Sequence, residues 1–95
     1  MTFRRKLRYM SSATILDILV NEPDGITVSD LAKIVYPESV GTGQFSEALT
    51  LIGGKIGDCV HDDLVEPVGF SQGKPLFRIT ERGHLIHNMI KQRCP

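Results

Sequence analysis

Residues 42–79 constrain the fold most, because two different hydrophobic periods follow one another there. From Phe45 to Val60, apolar residues recur with the spacing of one helix face. Two short apolar runs follow, one on each side of Ser71-Gln72-Gly73, which has the composition of a tight turn. The stretch therefore predicts a long amphipathic helix that continues, through a turn at Asp62-Asp63, into a β-hairpin.

Two shorter helices are predicted before this stretch. The first covers residues 13–21, and the second begins after the N-cap Thr27 and stops before Pro37. Between them Ile26-Thr27 is long enough only for a minimal strand. A short helix, a tight turn and a longer helix form the helix-turn-helix arrangement.

The hairpin strands are predicted at residues 65–70 and 76–79, and Pro67 suits the first of them to a sheet edge. Thr80 is the predicted N-cap of a last helix. In the third helix, Gly53-Gly54 interrupts the pattern. We expect either a bend at this pair or a neighbouring backbone packed closely against it.

Length and composition limit the class of protein. Ninety-five residues form one domain, and no apolar run approaches the roughly 20 residues of a membrane span. The first ten residues are basic but lack the apolar segment of a secretory signal. The only cysteines, Cys59 and Cys94, are too few for a disulfide framework, so we expect reduced thiols in a cytoplasmic protein.

The net charge of zero conceals an uneven distribution. Residues 1–9 carry four basic side chains and no acid, whereas residues 17–66 carry ten acids against two lysines. Residues 74–93 are basic again, with five cations against Glu81. We therefore divide the chain into a basic segment, residues 1–10, which is either a flexible arm or a helix extension, and a folded domain, residues 11–95.

The amino-acid sequence on either side of the hairpin resembles that of a known superfamily. Asp63-Leu64-Val65-Glu66 leads into the hairpin, and Phe77-Arg78-Ile79-Thr80-Glu81-Arg82-Gly83 leaves it. With the order of elements, this resembles the winged helix-turn-helix superfamily, in particular small bacterial and archaeal regulators of the MarR, PadR and ArsR kind. In those proteins the strand after the third helix starts with a Gly-Leu-Val type step. Their wing returns as Tyr-Arg-Leu-Thr, followed by a charged residue and Gly.

This resemblance covers about residues 12–90 and implies the fold class. That class is α+β and mostly helical: a winged helix-turn-helix with a three-helix core, a two-stranded β-wing and a C-terminal helix. The chain departs from the pattern in two ways. Its third helix is longer and contains a glycine pair, and the exposed face of that helix lacks the basic residues common in DNA-binding relatives.

The resemblance also implies sequence-specific binding of double-stranded DNA and transcriptional regulation, with the third helix in the major groove. Gln44, Ser46 and Thr50 would then be in reach of the bases, and glutamine can pair bidentately with adenine. Further DNA contacts, most of them to phosphates, are predicted for polar and basic residues of the arm, the third helix and the wing. They are Arg4, Arg5, Lys6, Arg8, Lys55, Gln72, Lys74 and Arg78.

A second interpretation stays open. Glu47 and Asp58 on the third helix would repel phosphate if they faced DNA. The same fold would then serve as a protein-interaction module whose acidic middle meets a basic partner.

Surplus apolar residues on the first and last helices indicate a homodimer, unless they complete the core of the single domain. They are Leu16, Val20, Ile86 and Ile90. No arrangement of residues predicts catalysis, a cofactor or a metal site. His84 and His87 lack the paired-cysteine spacing of a structural zinc site, and Cys59 lies in an apolar helical register.

Overall fold

The helices and the hairpin predicted from the sequence are present in the computed structural model, which describes residues 10–93. The architecture is α+β, with four α-helices and a two-stranded antiparallel sheet in the described residues. The elements are α1 (Ser12–Leu19), α2 (Val28–Val35), a 3-10 turn (Pro37–Ser39), α3 (Phe45–His61), β1 (Val65–Ser71), β2 (Lys74–Ile79) and α4 (Glu81–Arg93).

Hydroxyl side chains cap the first two helices. The Ser11 side chain accepts a hydrogen bond from the Thr14 amide, and Thr27 Oγ1 accepts one from the Asp30 amide at 3.1 Å. The minimal strand is also present, because Ile26 and Phe77 exchange two backbone hydrogen bonds of 2.9 Å. This bridge ties the segment before α2 to the hairpin.

The connection between α2 and α3 is longer than predicted. Ser39 is fully buried, and its Oγ donates a 2.7 Å hydrogen bond to the Tyr36 carbonyl. Thr42 Oγ1 donates to the Ser39 carbonyl and accepts from the Gln44 amide. These local bonds hold residues 39–44 outside the helix, so α3 begins at Phe45 rather than Thr42.

Helix α3 runs without interruption through its glycines. Ala48, Ile52, Ile56 and Cys59 form its buried face. A Cβ added at Gly53 or Gly54 would meet no atom of the described residues within 4 Å, so no described backbone packs closely against this pair, contrary to that expectation.

The hairpin closes through a two-residue turn. Ser71 pairs with Lys74, and Gln72 and Gly73 between them both have positive φ, +52° and +78°. Positive φ at both central residues is the type I′ geometry that matches the twist of a hairpin. The predicted turn is confirmed, although both strands extend closer to it than expected.

The junction between α3, the hairpin and α4 is held by Thr80. Its Oγ1 donates a 2.6 Å hydrogen bond to the carbonyl of Asp63, which follows α3 and has φ +60°, and accepts one from the Gly83 amide. The Thr80 amide donates to the Leu64 carbonyl at 3.0 Å. One residue therefore caps α4, as predicted, and ties its start to the end of α3.

The core lies between the helices α1, α2 and α3 and the inner face of the hairpin. Ile15, Leu19, Leu31, Ile52 and Val65 are among its fully buried side chains. Met10 belongs to this core as well, with 6% of its surface exposed. The folded unit therefore includes Met10, which we had placed in the basic segment of residues 1–10 from the sequence.

Gly83 lets α4 approach the junction. A Cβ at this position would lie 2.6 Å from Cγ1 of Ile79 and closer still to the carbonyl oxygen of Leu64. Backbone atoms cannot move aside cheaply, so no larger residue fits without displacing α4.

Gly83→Ala is expected to lower the free energy of unfolding by about 1–3 kcal/mol, because the added methyl group overpacks the junction. Gly57→Ala is the matched control, since Gly57 is also helical but its Cβ would meet open space. That substitution should raise the free energy of unfolding by about 0.5–1 kcal/mol through helix propensity. Urea denaturation of both variants provides the measurement, and stabilisation by Gly83→Ala would contradict the packing described here.

Candidate nucleic-acid interface

The side of α3 opposite its buried face carries mainly small side chains. Ser46, Thr50, Gly54 and Gly57 are exposed there, and we call them the outer face of α3. Glu47 borders this row at its start and His61 lies one turn beyond Gly57, and both side chains are exposed. Between them, the small residues leave the helix backbone open to close approach.

The hydroxyl groups of the outer face are already oriented. Thr50 Oγ1 donates to the Ser46 carbonyl at 3.1 Å, and Ser46 Oγ donates to the Gly43 carbonyl at 3.4 Å. With their protons used within the helix, both oxygens are available as acceptors. Gln44, the third predicted base contact, is half-buried at the N-cap of α3.

Lys55 lies beside the outer face rather than on it. Its half-buried side chain lines a cavity of about 230 Å³ with Met10, Tyr36, Thr50 and Asp58. This cavity opens on one flank of α3, where Met10 brings the chain out of the basic segment. Arg4, Arg5, Lys6 and Arg8 lie outside the described residues.

The hairpin borders the opposite flank of α3. Lys74 and Pro75 line a cavity of about 390 Å³ together with Phe45 and Leu49 from the first turns of α3. Gln72 is exposed at the tip, next to this cation. Lys74 thus lies on the part of the hairpin that borders the start of α3.

Arg78 is not brought together with Lys74 and the start of α3. Its Nη2 forms a 2.8 Å ion pair with Glu66 Oε1 on the neighbouring strand. The cavity that Arg78 lines also includes Val20, Pro23 and His84, and no residue of α3 contributes to it. This cross-strand pair engages one Nη of the guanidinium, and the Arg78 side chain stays 46% exposed.

Acidic side chains flank the outer face of α3. Glu47 and Asp58 are exposed and lie on the same side of the helix, since eleven residues correspond to about three turns. Residues 10–93 contain seven basic and eleven acidic side chains, which gives a formal charge of −4. The four arm cations bring the whole chain to zero.

Phe70 is a feature of the hairpin that sequence reasoning missed. It is 75% exposed, the largest value among the large hydrophobic residues of the part of the chain that the structure describes. It pairs directly with Pro75, so it lies on the hairpin face that borders α3. Strand alternation from Val65 would place Phe70 on the outward side with Glu66 and Val68. The register shift between Pro67 and Gly69 brings it opposite Pro75 instead, and the sequence gives no clear signal for this shift.

The predicted dimerisation residues divide into buried and half-buried positions. Leu16 is 1% exposed and completes the core of the single chain, so it has no surface to offer a second chain. Val20, Ile86 and Ile90 are half-buried. On α4 the exposed apolar residues are instead Leu85 and Met89.

His87 and Cys59 are buried, and their contacts are with other parts of the fold. His87 is 6% exposed, and its Nε2 lies 3.2 Å from Asp17 Oδ1, which links α4 to α1. Burial raises the pKa of the Cys59 thiol, and a hydrogen bond with Ser12 opposes this to a smaller extent. Within residues 10–93, no three His, Cys, Asp or Glu side chains are grouped so that they could hold a metal ion.

No family model matches this chain, and no match was found among curated proteins or solved structures. None of the described helices combines the length and hydropathy that crossing a membrane requires. We therefore infer the function from the geometry and charge of residues 10–93 and from the basic segment that precedes them.

Cys59 is expected to react slowly with iodoacetamide in the native protein near pH 8, because the thiol is buried and its pKa is raised. The measurement uses a Cys94→Ser variant, so that Cys59 is the only thiol. Alkylation should be at least about tenfold slower than in the urea-unfolded chain. Equal rates in the two states would show that the thiol is accessible and reactive.

Proposed function

We propose that this protein is a winged helix-turn-helix protein that binds double-stranded DNA sequence-specifically and regulates transcription as a homodimer. The observation that carries the proposal is the position of the hairpin beside the start of α3, where Lys74 and Pro75 share a cavity with Phe45 and Leu49. A helix placed in the major groove would bring the hairpin tip to the adjacent DNA backbone.

The outer face of α3 suits a close fit to base edges. Its glycines keep the backbone accessible, and the Ser46 and Thr50 oxygens can accept hydrogen bonds from the amino groups of adenine or cytosine. Gln44, at the end of the helix that would enter the groove first, adds an amide that can pair with adenine.

The hairpin tip supports the same proposal. Gln72 has φ +52°, a conformation that Asn or Gly adopts more readily in a type I′ turn. Its long amide side chain is thus held at the tip despite an unfavourable backbone conformation, and such strain is concentrated at functional sites. Beside it, Lys74 can contact a phosphate, and the exposed Phe70 can contact the sugar and base surfaces of a groove.

The charge distribution determines how such a complex would be held. The folded part carries −4 and would be repelled by DNA at long range. Affinity must therefore come mainly from Arg4, Arg5, Lys6 and Arg8, with Lys74 as the contributing cation of the hairpin. In this proposal the arm provides affinity, and α3 provides specificity.

A second candidate function is protein binding without DNA, and the acidic flank of α3 is the observation that favours it. Glu47 and Asp58 are exposed on the side where a phosphate backbone would pass if α3 lay deep in a groove. A partner with a basic surface would be attracted to the same flank.

Duplex affinity measured at several salt concentrations tests the proposal. The logarithm of the binding constant should fall steeply with the logarithm of salt, with each neutralised phosphate contributing about 0.9 to the slope. Replacing Arg4, Arg5 and Lys6 together by alanine should reduce the slope by about 2–3.

Two cations of the same strand form a matched pair in this measurement. Lys74→Ala should reduce the slope by about 1, whereas Arg78→Ala, which removes the partner of Glu66, should leave it unchanged. Absence of binding to any duplex at low salt would overturn the proposal and favour the protein-binding candidate. Equal effects of the two substitutions would show that the interface is placed wrongly.

A further inference from the structure

The outward side of α4 carries an exposed row of residues at four-residue steps: Glu81, Leu85, Met89 and Arg93. Leu85 is 61% and Met89 51% exposed, so half or more of each apolar side chain is open to solvent. The opposite side of α4 is occupied within the chain, because Gly83 packs on Leu64 and His87 contacts Asp17. The row is thus a surface that the described fold leaves uncovered.

The order of residues in this row makes it complementary to itself. It reads acid, apolar, apolar, cation, so an antiparallel copy places Glu81 beside Arg93 and Leu85 beside Met89. Rows with four-residue spacing are the ridges that interdigitate when two helices pack, and in that packing the two rows run side by side. Over about 18 Å of helix, both charged ends and the apolar middle find a matching partner at once.

We propose that a second copy of this chain packs on the row Glu81–Leu85–Met89–Arg93 of α4, antiparallel and about a two-fold axis. Such an interface is isologous, since each residue pair occurs twice. The two Glu81–Arg93 pairs fix the antiparallel register, and the buried Leu85 and Met89 side chains supply the favourable free energy. The face differs from the one predicted from the sequence, which included the buried Leu16.

Helix electrostatics favour the same charges within each chain. Glu81 lies in the first turn of α4 and Arg93 in the last, so each already interacts favourably with the helix dipole. Self-association therefore requires no residue to be moved into an unfavourable position.

This surface would provide the second copy that the proposed DNA-binding homodimer needs, and in that respect the inference rests on the proposed function. It is nevertheless tested in the absence of DNA. A failure of self-association would leave duplex binding to be judged by its own salt dependence, and a failure of DNA binding would leave the dimer measurement intact.

The test is sedimentation velocity of the full chain at low ionic strength, across concentrations at which the wild type passes from monomer to dimer. Glu81→Arg alone and Arg93→Glu alone each turn both ion pairs of the homodimer into repulsive pairs. Each should weaken self-association by at least about tenfold. An equimolar mixture of the two variants restores both pairs in a heterodimer and should recover association. Leu85→Asp should abolish it.

Controls separate this face from general effects. Ile34 on α2 is 49% exposed and apolar, so Ile34→Asp should leave self-association unchanged. Circular dichroism verifies that each variant is folded. A wild type that stays monomeric at all concentrations would overturn the proposal. So would a dimer that neither single charge reversal weakens, or variants that do not recover association when they are mixed.

Discussion

The hydroxyl group of Thr80 is the interaction on which the relative positions of α3, the hairpin and α4 depend. It donates to the Asp63 carbonyl and accepts from the Gly83 amide, so one side chain joins the end of α3 to the start of α4. The approach is close because position 83 has no Cβ that would collide with Leu64. The hairpin begins and ends at this junction, since Val65 pairs with Ile79. A change there would alter the direction of the hairpin relative to α3.

This junction separates two surfaces with different chemistry. The proposed DNA-binding surface comprises the hydroxyl oxygens and glycines of α3 and Lys74 of the hairpin. The outward side of α4 presents Leu85 and Met89 between charges of opposite sign. Because α3 and α4 are both held by Thr80, the geometry of one surface is fixed relative to the other. In the proposed homodimer, the α4 interface would therefore determine the spacing between the two copies of α3.

Features set by local bonding could be predicted from the sequence, and features set by packing could not. The turn at Gln72-Gly73 and the capping role of Thr80 depend on residues close in the chain, and both are confirmed. Which side of α4 faces the core was not predictable, because the helix has two apolar rows, one with Leu85 and Met89 and one with Ile86 and Ile90. The residues that are buried are instead Gly83 and His87. The pairing of Arg78 with Glu66 likewise depends on register across the hairpin, so counting charges could not reveal this partner.

The central claim is that the outer face of α3 and the hairpin tip form one nucleic-acid-binding surface. Titration of ¹⁵N-labelled protein with duplex DNA at low ionic strength, followed by amide chemical shifts, tests it most directly. We expect the changes to concentrate at Ser46, Thr50, Gln72 and Lys74, with Arg78 unaffected. Changes centred on Arg78 and the start of α4, or no changes at any DNA concentration, would contradict the account.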